Sequence, residues 1–250
     1  YYGELTFTVH YKGEIEDTIE WLYLDFETLK NVCDYHQLTC KKIKTDGVIL
    51  DIDGTLWDST EIVADAWIEA FKMAGIKEYD ITPDILKGLF GRPMNEIAEV
   101  LMPNDSPETR NEVSTNCYHL EDRYLEDSKS DIFYDGVVDG IIRMSEIVPV
   151  YIVSNCQKGY IELVMKKGGF ESCISDYESY GNTGCGKAYN LKLLSDRNHL
   201  KAPLYIGDTE GDRQACEEAG VLFIWAGYGF GKPISYVEKL DRFKDILDII

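Results

Sequence analysis

Short apolar runs alternate with longer stretches of helical periodicity over much of the chain. Residues 48–50 form one such run, and others occupy residues 150–153, 204–206 and 221–225. Runs of this length without polar alternation are typical of strands that are buried on both faces of a parallel sheet. The helical stretches between them predict right-handed crossovers. The pattern therefore indicates an α/β fold with a Rossmann-like, doubly wound parallel sheet.

A helical segment interrupts this alternation. Residues 58–135 have helical periodicity, with a Gly-Arg-Pro break at 91–93 and a long polar helix from Pro107 to about Asp127. We expect this segment to be an inserted α-helical cap domain. The catalytic core is then expected to consist of residues 45–57 and 136–250.

The first 44 residues have a different pattern. Apolar and polar residues alternate around Leu5, Phe7 and Val9, a turn is expected at Lys12-Gly13, and an apolar run follows at residues 21–24. This pattern predicts a hairpin, and a helix is expected near 26–37. Residues 1–44 are therefore predicted to be an α+β extension, a candidate for contact with a partner or with a second copy of the chain.

The amino-acid composition and net charge argue against some classes of binding partner. The chain has 250 residues, 44% of them hydrophobic, and 45 acidic against 25 basic side chains give a net charge of -20. This charge argues against nucleic acid or an anionic membrane as a partner. Seven cysteines without paired spacing indicate a reduced compartment, and no apolar run reaches the length of a membrane span. We expect a cytoplasmic protein without a secretion signal.

The first core strand ends in residues that can carry chemistry. Asp51 and Asp53 follow the apolar run, and Gly54 allows a sharp turn beside a bound group. Ligands gather at this end of strands in open α/β sheets. One carboxylate can act as a nucleophile while the other donates and then accepts a proton. Gly54 and Thr55 are expected to bind phosphate, although such a motif alone is also common in ordinary turns.

Two later strands end in polar residues that we expect at the same edge of the sheet. Ser154 and Asn155 follow the second apolar run, at the expected start of a helix whose free N–H groups favour a phosphate. Asp208 and Asp212 follow the third run, where a hard metal ion is expected. Lys187 begins a helix after a glycine-rich stretch and can reach inward as a single positive charge.

Four aspartates at one edge of a sheet need positive charge between them. Each pair about 4 Å apart repels by about 4 kcal/mol at an effective dielectric constant near 20. Lys187 supplies one charge, and a divalent ion bound through few carboxylates and several waters, the habit of Mg²⁺, supplies the rest. The set predicts phosphoryl transfer, with Lys187 and Ser154 stabilising the phosphoryl oxygens.

The motifs in this order resemble those of the haloacid dehalogenase-like hydrolases, specifically the phosphatase branch with a helical cap after the first motif. The four motifs are Asp51-Ile-Asp53-Gly-Thr-Leu, Ser154-Asn155, Lys187, and Gly207-Asp208 with Asp212. The resemblance covers about 47–250, and residues 1–44 have no counterpart in it.

This resemblance implies roles for individual residues. Asp51 would be the nucleophile and Asp53 the general acid and base. Mg²⁺ would be bound by the side chains of Asp51 and Asp208 and the carbonyl of Asp53, with Asp212 supporting the metal site. The loop at 91–93 resembles the cap loop that contacts substrate in phosphoglycolate phosphatases and β-phosphoglucomutase. Arg92 and Lys87 are therefore candidate specificity residues.

We predict a Mg²⁺-dependent phosphatase that hydrolyses a small phosphorylated metabolite through an aspartyl phosphate. A cap that closes over the site favours a sugar phosphate, phosphoglycolate or a nucleoside monophosphate over a phosphoprotein. A phosphomutase of the β-phosphoglucomutase type is an alternative, because it needs the same aspartates and differs in returning the phosphoryl group to a sugar.

Two alternatives of another class start from different features. Gly181–Gly186 and Lys187 have the glycine spacing of a nucleotide-binding P-loop. Ala188 stands where that loop needs a hydroxyl for Mg²⁺, however, and residues 188–250 are too few for the sheet of such a domain. The other alternative is a partner-binding protein with a relic phosphatase core. The retained acidic residues argue against it, because uncompensated charge in a shared site is costly.

Overall fold

The computed structural model describes residues 4–11, 14–22, 45–77 and 79–250 and divides the chain into two units, 1–44 and 45–250. In the first unit, β1 (Glu4–Tyr11) and β2 (Glu14–Leu22) pair antiparallel, as a hairpin does. The helix expected near 26–37 lies outside the described residues.

The second unit is built on a parallel sheet of six strands. In chain order they are β3 (Gly47–Leu50), β4 (Val150–Ser154), β5 (Ile174–Ser179), β6 (Pro203–Gly207), β7 (Leu222–Ala226) and β8 (Glu238–Leu240). Their spatial order is β5-β4-β3-β6-β7-β8, and every neighbouring pair is parallel. The chain extends the sheet to one side of β3 and then to the other. The carboxyl end of β3 is therefore the point where ligands bind in such sheets.

Helices occupy each connection from β3 through to β7. They are α1 (Thr60–Met73), α2 (Pro83–Lys87), α3 (Met94–Leu101), α4 (Pro107–Asp127), α5 (Val137–Ser145), α6 (Tyr160–Gly168), α7 (Tyr180–Thr183), α8 (Lys187–Arg197) and α9 (Glu210–Ala219). The first four lie between β3 and α5, in the segment predicted to be the cap, and we refer to them as the cap. The long α4 has the bounds that the sequence predicts, because Ser106 caps its first turn and Pro107 suits the first helical position.

Successive side chains of β3 point to opposite faces of the sheet, and each face has its own hydrophobic cluster. Val48 and Leu50 pack into a cluster with α5 and α6, whereas Ile49 packs into a second cluster with α8 and α9. Helices thus cover both faces, and the predicted doubly wound fold class is confirmed. The cap has a third cluster of its own, in which Trp67 and Phe71 are buried.

The structure adds two strands to those predicted and corrects one helix. The edge strand β5 was not predicted because four of its six residues are polar; two of them, Asp176 and Glu178, bind Arg197 on α8. The short β8 was also missed. The helix expected at Ser154-Asn155 begins only at Tyr160. None of the helices in the described residues is both long and apolar enough to cross a membrane.

Candidate active site

Three carboxylates meet at the carboxyl end of β3 and β6. The two strands are paired with Leu50 opposite Ile206, so Asp51 and Asp208, a residue or two further on, leave the sheet side by side. Asp212 returns to the same point from the first turn of α9. One oxygen from each of these three side chains lies within 4.8 Å of the others, and all three residues are buried. The four-carboxylate cluster expected from the sequence is thus a trio, because the Asp53 side chain lies outside it.

Lys187 joins the trio from the start of α8, as its position in the sequence predicts. Its Nζ lies 2.9 Å from Asp51 Oδ2 and 2.5 Å from Asp212 Oδ1, and its side chain is buried with them. The two carboxylates raise the pKa of Lys187 against the lowering effect of burial, so the side chain is charged. One positive charge therefore faces three buried acidic groups.

Asp212 uses both carboxylate oxygens on protein donors. Its Oδ1 binds Lys187, and its Oδ2 accepts hydrogen bonds from the backbone N–H groups of Asp208 and Thr209 and from the Thr209 hydroxyl. Thr209 in turn accepts from the Asp212 N–H, which completes a capping box at the start of α9. These bonds keep the pKa of Asp212 below its usual value, with Lys187 as the largest lowering cause. Asp212 thus holds Lys187 and the strand-to-helix turn in place.

A glycine-rich loop after β7 supports Asp208, and the sequence reasoning missed this role. The backbone N–H groups of Phe230 and Gly231 donate to Asp208 Oδ2 over 2.7 and 3.2 Å. A Cβ at Gly229 would lie 2.2 Å from the Gly54 carbonyl oxygen and 2.4 Å from Asp208 Cβ, so only glycine fits there. The glycines at 227, 229 and 231 could have signalled a close backbone approach.

Two carboxylate oxygens in the trio remain unpartnered. Asp51 Oδ1 and Asp208 Oδ1 are buried and have no hydrogen-bond partner among the described residues. Burial raises the pKa of Asp51 to about 7 despite Lys187, and burial with the charges of Asp212 and Asp51 raises that of Asp208. Buried acidic oxygens without donors fit a hard divalent cation with oxygen ligands. The donor set therefore suits a metal ion held between Asp51 and Asp208.

Asp53 has a separate environment beside the trio. Its Oδ1 accepts hydrogen bonds from Trp57 Nε1, Ser59 Oγ and Tyr160 OH, at 2.9, 2.8 and 2.9 Å. Burial raises the pKa of Asp53 although these three donors lower it. The carboxyl is thereby fixed in orientation and favours holding a proton, the combination that a general acid needs.

Of the other predicted phosphate-binding residues, Ser154 and Asn155 line the cavity next to the trio. Ser154 ends β4 and lies in the cavity wall beside Asp51. Asn155 Nδ2 donates to the carbonyl oxygen of Gly91 in the cap over 2.8 Å, while its Oδ1 has no partner among the described residues. The Thr55 hydroxyl is buried without such a partner, and Gly54 has the positive φ that the turn requires.

A cavity of about 50 Å³ is lined by residues of both the core and the cap. It has room for a few water molecules. Arg92 lines it from the cap, together with apolar residues of α1 and α3. Lys87 does not line it; its Nζ lies 3.3 Å from Asp58 Oδ2 and 5.8 Å from the centre of the Phe230 ring. Of the two predicted specificity residues, the structure places only Arg92 at the cavity.

The stretch proposed as a P-loop has a different structure. Tyr180–Thr183 is a short helix, and Lys187 points to Asp51 and Asp212. The lysine thus belongs to the acidic cluster, as the phosphatase interpretation requires.

The comparisons with known proteins agree with this geometry. The family model described as haloacid dehalogenase-like hydrolase matches residues 48–226, so the chain belongs to this family. The predicted enzyme class, a phosphatase of this family, is confirmed.

Two curated relatives extend over most of the chain. A phosphoglycolate phosphatase of Photobacterium profundum is 25% identical over 221 residues, covering 81% of this chain and 94% of the relative. A phosphoglycolate phosphatase of Rhodobacter capsulatus is 24% identical over 208 residues, covering 79% and 92%. The match thus extends over nearly the full length of both relatives.

Solved structures share the fold at lower identity. A haloacid dehalogenase-like family hydrolase of Streptococcus pneumoniae superposes with a TM-score of 0.70 at 18% identity, covering 82% of this chain and 98% of that one. CbbY of Rhodobacter sphaeroides in complex with xylulose-(1,5)-bisphosphate superposes with a TM-score of 0.70 at 13% identity, covering 81% and 96%. These structures therefore share the fold over about four fifths of this chain.

Proposed function

We propose that the protein is a Mg²⁺-dependent phosphatase that hydrolyses a small phosphorylated metabolite through an aspartyl phosphate on Asp51. The observation that carries this proposal is the pair of unpartnered, buried oxygens of Asp51 and Asp208 beside the ion pair of Asp51 with Lys187. The family and the names of the two curated relatives support it.

Mg²⁺ would be held by Asp51 Oδ1 and Asp208 Oδ1, which have no other partner among the described residues. Asp212 would contribute indirectly, since its oxygens already bind Lys187, Thr209 and the Asp208 N–H. The Asp53 carbonyl is a further ligand that the family resemblance implies. When bound, the ion would neutralise negative charge on the phosphoryl oxygens.

Asp51 is proposed as the nucleophile because β3 fixes it at the end of a buried strand. In the first step, an Asp51 carboxylate oxygen forms a bond to phosphorus while the bond from phosphorus to the ester oxygen breaks. Lys187 Nζ binds Asp51 Oδ2 and so orients the nucleophile. From the same position its charge is proposed to neutralise a phosphoryl oxygen. Ser154, Asn155, Gly54 and Thr55 are proposed to bind the remaining oxygens.

Asp53 is proposed to transfer protons in both steps. It first gives its proton to the leaving ester oxygen. It then takes a proton from the water that attacks the aspartyl phosphate, which frees Asp51 and releases inorganic phosphate. Its three donors, Trp57, Ser59 and Tyr160, hold the carboxylate oriented between these steps.

The cap is proposed to limit the size of the substrate. The cavity between core and cap is small, and Asn155 and Gln157 of the core hydrogen-bond Gly91 and Asp122 of the cap. Substrate entry then requires the cap to open, and closure excludes bulk water from the aspartyl phosphate. Arg92 is the proposed cap contact for a polar group of the substrate.

Phosphate release from a panel of phosphate monoesters tests the function. The wild type should release phosphate with Mg²⁺ but not in EDTA, and Asp51→Asn should be inactive under both conditions. Release that is unchanged in EDTA would contradict the metal role. Turnover of β-glucose 1-phosphate without free phosphate would favour the phosphomutase alternative.

A further inference from the structure

The cap places one acidic residue in the wall of the cavity. Glu121 lies on α4, is 5% exposed, and lines the cavity together with Asp51 and Asp53. Its Oε2 is buried without a hydrogen-bond partner among the described residues, and its carboxylate forms no ion pair with any of the lysines or arginines there. A polar atom in this state is costly unless a ligand supplies its partner.

Glu121 also interrupts an apolar helix face. Val113, Cys117 and Leu120 lie on the same side of α4 and are buried in the core of the cap. An apolar residue at position 121 would continue this stripe and avoid the cost of a buried carboxyl. The packing of the cap thus gives no reason for an acidic residue at this position.

The surroundings of Glu121 are negative as well as buried. Burial raises its pKa well above the usual value, and the charges of Asp53 and Asp122 raise it further, against a smaller lowering by Gln157. Asp122 is itself held by a hydrogen bond from Gln157 Nε2 over 3.0 Å. A negative charge is therefore unfavourable at this point of the cavity, whether Glu121 or a substrate carries it.

The rest of the cavity wall indicates which part of a substrate Glu121 meets. Asp51 and Asp53 lie on the core side, where the phosphoryl group is proposed to react, and Glu121 belongs to the cap. Trp67, Met94 and other apolar side chains of the cap add no hydrogen-bond acceptor in between. The leaving group of a bound monoester would thus lie between the proton donor Asp53 and the carboxyl of Glu121.

We propose that Glu121 selects substrates whose leaving group carries a hydrogen-bond donor, a hydroxyl or an ammonium group, and selects against a second carboxylate. This inference rests on the proposed phosphatase function. The donor fills the unmet bonding capacity of Glu121 Oε2, whereas a carboxylate such as that of phosphoglycolate would place a negative charge beside Asp122, where burial and the neighbouring acidic residues disfavour it. The preferred substrate then differs from the one named for the two curated relatives.

Four monoesters of similar size test this selection: 2-hydroxyethyl phosphate, 2-aminoethyl phosphate, phosphoglycolate and n-propyl phosphate. They differ at the end of the leaving group that is farthest from phosphorus. Their kcat/KM values are compared for the wild type, Glu121→Gln and Glu121→Met with saturating Mg²⁺. Glu112→Gln is the matched control, because Glu112 is an exposed residue on the same helix.

The wild type should prefer the hydroxyl or ammonium ester over the other two. Glu121→Met should lower kcat/KM for the preferred ester by about 10- to 100-fold, the effect of losing a hydrogen bond to a charged or buried group. It should leave n-propyl phosphate within about threefold of the wild type. Glu121→Gln should retain part of the hydroxyl preference, lose an ammonium preference, and improve turnover of phosphoglycolate. These arms distinguish the two kinds of donor.

Two results would overturn the inference. Equal losses for all four esters in Glu121→Met would assign Glu121 a structural role only, and wild-type preference for phosphoglycolate would contradict the charge argument. Hydrolysis of the esters without any preference for a donor would also contradict the Glu121 role, but it would leave the proposed phosphatase function intact. Hydrolysis of none of the four esters or of the wider panel would reject the phosphatase function, and the Glu121 role with it.

Discussion

Asp51 and Lys187 form a buried ion pair, with 2.9 Å between Oδ2 and Nζ, at the point where the chain reverses the order of its strands. The pair leaves Asp51 Oδ1 and Asp208 Oδ1 without a partner among the described residues. A buried cluster of three acids and one lysine needs further positive charge. The same cluster that is costly in the isolated chain is therefore suited to bind a cation and a phosphoryl group.

Loss of the lysine charge should destabilise the protein when no divalent ion is present. Lys187→Met leaves Asp51 and Asp212 buried without their cation, so we expect the free energy of unfolding to fall by about 3 kcal/mol at pH 8 in EDTA. Urea unfolding monitored by circular dichroism measures this. Lys192→Met, at an exposed position of the same helix, should change the value by less than about 0.5 kcal/mol. Equal stability of the two variants would show that the ion pair contributes nothing.

Asp208 should determine the affinity for Mg²⁺. Asp208→Asn can still accept hydrogen bonds from Phe230 and Gly231 through its amide oxygen, but it loses the charge that faces Asp51. The Mg²⁺ concentration for half-maximal activity should rise by at least about tenfold. The exposed control Asp139→Asn should leave it unchanged. An unaltered Mg²⁺ dependence in Asp208→Asn would remove Asp208 from the metal site.

The loop that supports Asp208 should not tolerate a side chain at Gly229. A Cβ there would lie 2.2 Å from the Gly54 carbonyl oxygen, so backbone must move. Gly229→Ala should lower the free energy of unfolding by about 1–3 kcal/mol and weaken Mg²⁺ binding with it. Gly88→Ala is the control, since its Cβ would have only an ordinary contact at 3.5 Å. Wild-type stability and Mg²⁺ affinity in Gly229→Ala would mean that the loop is not closely packed on Asp208.

The pH dependence should report on the Tyr160 hydrogen bond. The Tyr160 hydroxyl lowers the pKa of Asp53, which burial raises. Tyr160→Phe removes that donor, so the pKa of Asp53 rises further and any limb of the rate profile that depends on Asp53 moves to higher pH. The rate at the optimum should fall by about tenfold, because Asp53 is less firmly oriented. A profile identical to that of the wild type, or an equal shift in the exposed control Tyr189→Phe, would contradict this.

The sequence predicted most of the fold because the signals are local. Apolar runs located four of the six core strands. The residues that follow two of these strands predicted Asp51 and Asp208, and a helix start after a glycine-rich stretch predicted Lys187. The sequence also predicted that Asp212 belongs to the acidic cluster, but it did not predict that both of its carboxylate oxygens accept hydrogen bonds from protein groups. The strand β5 was not predicted because its polar residues interrupt the apolar run that marks the other strands. One of these polar residues, Asp176, binds Arg197.

The remaining features depend on tertiary contacts that spacing does not show. Tyr160 reaches Asp53 from a helix that begins five residues later than expected at Asn155. Gly229 owes its role to the approach of Asp208. The position of Glu121 in the cavity depends on how the cap closes, for which one helical pattern gives no register. The roles assigned to the site residues, and the function of residues 1–44, stay predictions.

The proposed function depends on phosphorylation of Asp51, and direct location of the phosphoryl group tests whether this occurs. Asp53→Asn should slow hydrolysis of the aspartyl phosphate more than its formation. Incubation of this variant with Mg²⁺ and a substrate of the wild type, followed by acid quenching and tandem mass spectrometry, should find one phosphoryl group on Asp51. A phosphoryl group on another residue such as Ser154, or none in a variant that still releases the leaving group, would contradict the account.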